Sequence, residues 1–168
     1  IAASAYVNLR PLHNQIKKVV LLGPAHRVPF HGLAATSAEF FMTPLGKIKI
    51  DRAAIARISV LPQVEIFDDA HAQEHSLEVQ LPFLQVMLDD FELIPLVVGD
   101  AGRNEVAEVL NLLWGGDETL IVISSDLSHY NNYSIAQQMD RATSIAIEKL
   151  HPEQIHYDMA CGRNPVNG

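Results

Sequence analysis

Cysteine is almost missing from this 168-residue chain: Cys161 is the only one. An intrachain disulfide is therefore excluded, and a reducing, cytoplasmic compartment is the simplest expectation. Basic residues are also sparse, with 12 Lys and Arg against 20 Asp and Glu and a net charge of −8. That balance is the reverse of what nucleic acid selects and reads as a well-solvated acidic surface. No apolar run reaches the roughly 18–20 residues of a membrane span. The segment from Ile1 to Leu9 lacks the basic start and separate apolar core of a signal peptide. Internal repeats, low-complexity tracts and linkers are missing. So are the compact signatures C-x-x-C, H-E-x-x-H, Walker A and G-x-S-x-G, each of which would have named a chemistry.

What is present is an ordinary globular balance, 48% hydrophobic and 19% charged, in a chain long enough to bury one core. The chain opens at Ile1 within a helical pattern and stops at Gly168, just past the only cysteine. The expectation is a single α/β domain over residues 1–168, cut at both ends.

Short apolar runs set the architecture: Lys18 to Leu22 before Gly23-Pro24, Leu93 to Val98 before Gly99-Asp100, and Thr119 to Ile123 before Ser124-Ser125-Asp126. Each is apolar on both faces, as strands of a covered parallel or mixed sheet are. Pro95 predicts irregularity or an edge position for the second. Leu77, Leu81, Leu84 and Leu88 fall on one helical face, with Pro82 expected to kink the helix. Val106, Val109, Leu110 and Leu113 repeat the spacing up to Gly115-Gly116. Ile135, Met139, Ala142 and Ala146 do so over 134–150. Asp51 reads as the cap of a short helix over 52–58. Residues 33–50 read as short strands turning at Pro44-Leu45-Gly46. The order predicts a three-layer αβα domain around a central mixed, largely parallel sheet.

Ligands of open α/β sheets bind beyond the carboxyl ends of the strands. There the first strand leads into His26, and the last leads through Asp126 to His129 and Tyr130. His75 lies in Glu74-His75-Ser76-Leu77-Glu78, with Ser76 expected as the N-cap. A helix N-terminus favours the neutral imidazole that binds metal. Glu78 is expected either to orient a ring or only to favour the helix N-terminus. Cys161 reads as a thiolate near Arg163 or as a small buried apolar residue. His31 is a candidate pocket liner, His71 reads as solvated in its acidic loop, and His13, His151 and His156 have no distinguishing context.

At these residues the chain resembles the Memo family. Gly-Pro-Ala-His-Arg-Val at 23–28, Thr-Pro-Leu-Gly at 43–46, Glu-His-Ser-Leu-Glu-Val-Gln-Leu-Pro-Phe at 74–83, Ser-Ser-Asp-Leu-Ser-His-Tyr at 124–130 and Cys-Gly-Arg-Asn-Pro at 161–165 occur there in the same order. The resemblance implies a fold similar to that of class III extradiol dioxygenases. It implies a mononuclear metal pocket of His26, His75 and Cys161, with Asp126 and His129 lining it. Iron or copper is the expected ion, with zinc as an alternative. It also implies association with AMMECR1-like and radical-SAM proteins. Ring-cleaving dioxygenases use two His and one carboxylate; Cys161 in the carboxylate's place shifts preference towards copper, zinc or a redox role. Asn164 stands where the animal protein has a His.

Three readings follow. One is a metal-dependent redox or dioxygenase-like protein in which His129 acts as acid or base and Asp126 orients it or a bound water. Another is a non-catalytic module that binds a peptide or small molecule in the same pocket. The third is a hydrolase with Cys161 as nucleophile.

Overall fold

The computed structural model describes residues 2–156 and 159–160. The chain divides into two compact units, residues 1–124 and 125–168. The first holds a seven-stranded mixed sheet, with β1 (Lys18–Pro24) near its middle. On one side β1 pairs in parallel with β6 (Glu92–Val98), on the other with β7 (Thr119–Ile123). Beyond β6 lie the hairpin of β3 (Phe40–Thr43) and β4 (Gly46–Ile50), then β2 (Leu33–Ala35) with β5 (Val64–Ile66). The β1–β6, β1–β7, β4–β6 and β2–β5 pairs are parallel, while β3–β4 and β2–β6 are antiparallel.

The apolar runs become strands because they supply side chains for both faces. Every residue from Val19 to Pro24 is buried, although alternate side chains of a strand point to opposite sides. Both faces of β1 are therefore covered, which is the expected three-layer αβα class. The helices form two groups: α2 (Arg52–Ile58) packs with α6 (Arg103–Leu113), and α1 (Ala2–Tyr6) packs with α5 (Leu81–Met87). In the second group Tyr6 stacks on Phe83 at 5.3 Å and donates its hydroxyl hydrogen to Gln80 at 2.9 Å. Burial there pushes the Tyr6 phenol up to about 12. Among the described residues no helix is long and apolar enough to cross a membrane.

Pro95 corrects one expectation. It lies in a central strand, paired with Leu21, not at an edge. Glu92 donates its N–H towards the β1 side, to Lys17, so by alternation the nitrogen of residue 95 faces the other side. There β6 changes partner: β4 ends at the Ile50–Leu93 pair, and β2 begins at Ala34–Val97. The missing N–H of proline falls in the gap between two ladders and costs no hydrogen bond.

Pro82 has a stronger effect than a kink. The leucine stripe is split into α4 (His75–Glu78) and α5, with Pro82 in the first turn of the second helix, where a proline lacks nothing. Leu77, Leu81, Leu84 and Leu88 are all buried nonetheless. The turn at Pro44-Leu45-Gly46 forms as expected, and Gly46 has φ +122°, a conformation that favours glycine. In the second unit α7 (Tyr133–Glu148) is rotated from its expected face. Thr143 and Ala146 are buried, while Ile135 is exposed and Asn132 caps the helix through the Ile135 N–H.

Asp51 ties a helix to the central strand. Its side chain is buried, accepts from the Ala54 N–H at 2.9 Å as N-cap of α2, and lies 3.0 Å from the Lys18 ammonium. Burial alone would raise this carboxyl, but the Ala54 and Lys18 donors outweigh it and hold it below its ordinary value. A carboxyl lowered on folding stabilises fully above the unfolded value near about 3.9, and that contribution is lost as pH falls through the folded value. Asp51→Ala is expected to cost about 1–2 kcal/mol in urea unfolding at pH 7. It should also flatten the loss of stability below about pH 4; an unchanged urea midpoint at pH 7 would contradict the assignment.

Candidate functional site

The histidine cluster is assembled where α4 lies on the carboxyl end of β1. Gly23 makes the contact close: a Cβ there would meet Ser76 Oγ at 2.7 Å and Leu77 Cδ2 at 2.8 Å. The Ser76 hydroxyl donates to the Pro24 carbonyl at 2.9 Å. The Ala25 N–H donates to Val98 of β6 at 2.9 Å, which fixes the path of the chain just before His26. As a result the His26 and His75 rings lie with centroids 4.8 Å apart and planes at 42°.

Between them sits Glu74, whose side chain is 1% exposed. Its Oε1 accepts the N–H of His75 at 2.8 Å and of Ser76 at 2.9 Å. The same oxygen lies 2.9 Å from His26 Nδ1 and 3.2 Å from His75 Nδ1. Its Oε2 accepts the His26 N–H at 2.6 Å. Burial alone would raise this carboxyl; the His26 ring, the His26 and Ser76 N–H groups and the nearby imidazole charge bring it down to about 2. Glu74 is thus the N-cap of α4 and an anion at neutral pH. The two imidazoles remain reachable from solvent, with side chains 27% and 55% exposed. One ligand atom from each of His26, Glu74 and His75 lies within 4.8 Å of the other two.

The structure brings together two of the expected ligands, His26 and His75. Cys161 lies outside the described residues, as does Asn164. In the second unit His129 Nε2 lies 3.2 Å from Asp126 Oδ2. Their loop is fastened to α7 by the Ser128 N–H, which donates to Asp140 at 3.0 Å. Tyr130 follows with φ 59°, uncommon for a bulky side chain.

Several expectations are corrected. Ser76 does not cap α4; its hydroxyl is engaged by Pro24, and Glu74 takes the cap. Of the two roles expected for Glu78 the structure supports the second, an exposed acidic residue in the first turn of α4, while the carboxylate that meets the rings is Glu74. Glutamate is a poor N-cap by propensity, so sequence alone favoured serine; the missing signal was a contact with His26, 48 positions away. His71 is not solvated. It is half-buried, lies 3.1 Å through Nε2 from the Ala34 carbonyl, and burial lowers its pKa. His31 stands open to solvent, its side chain 91% exposed and 3.4 Å from Asp100. A separate cavity of about 580 Å³, lined by residues that include Ile16, Trp114 and Thr119, lies at the amino ends of β1 and β7. It is remote along the strands from the histidines and contains none.

Substitution Gly23→Ala tests this assembly. The added methyl must push α4 off β1, at an expected cost of about 1–3 kcal/mol in urea unfolding. The nuclear Overhauser contacts between the His26 and His75 rings should weaken as well. A variant as stable as the parent with those contacts intact would contradict the packing.

The family model described as Memo-like protein matches residues 1–167. A MEMO1 family protein of Aquifex aeolicus is 37% identical over 84% of this chain and 54% of its own length. One from Methanobrevibacter smithii is 36% identical over 99% of the chain and 63% of its own length. The protein memo-1 homolog of Caenorhabditis elegans is 26% identical over 97% of the chain and 54% of its own length. The chain therefore spans between half and two thirds of the length of these relatives. With its whole extent matched and its motifs in order, the chain belongs to the Memo family.

Proposed function

We propose that this chain carries a mononuclear metal pocket formed by His26, His75 and Cys161 and works as a metal-dependent redox or dioxygenase-like protein. The observation that carries the reading is the convergence of two imidazoles on one buried carboxylate at the carboxyl edge of a central strand. The donor chemistry fits. Histidines that hold a metal through one ring nitrogen commonly give the other N–H to a carboxylate, which raises their basicity. The Glu74 anion also offsets part of a dication's charge in a partly dry setting. Two imidazoles and a thiolate suit iron, copper or zinc. When bound, such an ion would supply Lewis acidity and, for iron or copper, electron transfer.

Individual residues have their own tasks. His26 sits one residue past an N–H anchored to β6, so its ring has a fixed origin. His75 is held by the first turn of α4. His129, next to Asp126, accepts or returns a proton, and Asp126 fixes which ring nitrogen carries it. The ligand is a small molecule or short peptide reaching the solvent-open side of the two imidazoles.

Metal analysis of full-length protein prepared without oxygen tests the reading. Iron or copper at one equivalent is expected, absent in Cys161→Ser and depleted in His26→Ala and His75→Ala. A protein that takes up no metal yet binds peptides would support the non-catalytic module. Turnover in the presence of chelator, abolished by alkylating Cys161, would support the hydrolase.

A further inference from the structure

We propose that Glu74 is a positioning residue and not a third ligand: one buried carboxylate binds the Nδ1 side of both His26 and His75 and so turns the Nε2 lone pair of each towards a metal ion. The inference rests on the metal-pocket reading and extends it to a residue outside the His26, His75 and Cys161 set.

The acceptor count carries the argument. A carboxylate has about four lone-pair sites. Oε1 already takes the His75 and Ser76 N–H groups at 2.8 and 2.9 Å and meets the two Nδ1 atoms at 2.9 and 3.2 Å; Oε2 takes the His26 N–H at 2.6 Å. Ligation through Oε1, the oxygen that meets both rings, would have to displace the N–H groups that start α4, and that of Ser76 is buried and would be left unsatisfied. An ionised carboxylate also offers only acceptors. The His26 Nδ1, hydrogen-bonded to Glu74, is therefore the protonated nitrogen, the His75 Nδ1 at 3.2 Å faces the same anion and is expected to follow, and in a neutral ring the other nitrogen then bears the lone pair.

The shared oxygen has a geometric consequence too. His26 comes from the end of β1 and His75 from α4, elements that meet at Gly23. Neither element alone sets the angle between the rings. Glu74 does so because its own backbone starts α4 while its carboxylate reaches the chain at His26. Leaving either imidazole in the other tautomer would point an N–H at the ion.

Nitrogen NMR of the metal-free full chain labelled at histidine reads the tautomers without any ion. Both rings are expected as Nδ1–H; an Nε2–H form of either in the parent overturns the proposal. Zinc titration against a competing chelator gives the second readout. Glu74→Gln is expected to bind zinc 10- to 100-fold more weakly (about the range for such orienting partners). X-ray absorption should still find the imidazole donors in that variant. Unchanged affinity, or loss of an oxygen donor from the zinc shell, overturns the positioning role. Should Glu74→Gln fail to fold, Glu74→Asp keeps the charge but draws it back from the rings. It should bind zinc more weakly than the parent, and equal affinity counts against the proposal. If the parent binds no zinc, iron or copper, the metal-pocket reading fails, and the tautomers alone decide what Glu74 does.

Discussion

A carboxylate taken out of water must be repaid by donors, and the Glu74 carboxylate is almost wholly out of water. Without partners the cost of such an ion runs to several kcal/mol. The chain meets it with backbone N–H groups from His26, His75 and Ser76 and with an imidazole N–H. Those donors come from two places far apart in sequence, so the ion can be satisfied only if α4 is seated against the end of β1. Seating depends in turn on Gly23, which has no side chain to hold Ser76 and Leu77 away. One electrostatic requirement thereby specifies a packing contact, a helix start and the separation of two histidine rings.

The rest of the first unit supports this by enclosing β1. The strand has parallel neighbours on both sides and buried residues on both faces. Its central place depends on β6, which serves β4 near its start and β2 near its end. The change of partner lets one strand join the hairpin and the β2–β5 pair to a single sheet, and the proline at the change removes a donor that would otherwise lack an acceptor. Asp51 acts at the opposite end of β1 from His26, linking Lys18 to the start of α2.

Much of the fold was legible because its signals are local. The runs at 18 and 93 are apolar on both faces and become covered strands; the run at 119 also becomes a strand but is only partly buried, and Ile123 at its end is exposed. Asp51 is a good cap by chemistry, and Gly46 permits a backbone turn that other residues resist. The strand Val64–Ile66 and the short helix Asp69–Ala72 escaped because neither is long enough to display a period. Pro95 and Pro82 were recognised as disturbances, but their outcomes depend on neighbouring strands and on where a helix restarts. At the site, His26 and His75 could be picked out by their places beyond a strand and before a helix, together with the Memo motifs. Glu74 could not, because its role arises from a contact made only after folding. The same holds for His71, whose acidic neighbours suggested water while the fold placed its ring against the Ala34 carbonyl and the edge of Phe41.

The way the cluster is built bears on the chemistry it could perform. An imidazole backed by an anionic carboxylate is a stronger donor than one backed by a carbonyl, and a stronger donor set favours the higher oxidation state of a bound metal. The same carboxylate lies behind both rings, so the effect on the two donors is correlated: a change that withdraws the charge from one withdraws it from the other. A site that only captured a peptide would have little use for a buried anion shared by two imidazoles, since hydrogen-bonding histidines would serve it without that desolvation cost. On this physical ground the metal-centred reading is preferred over the binding module.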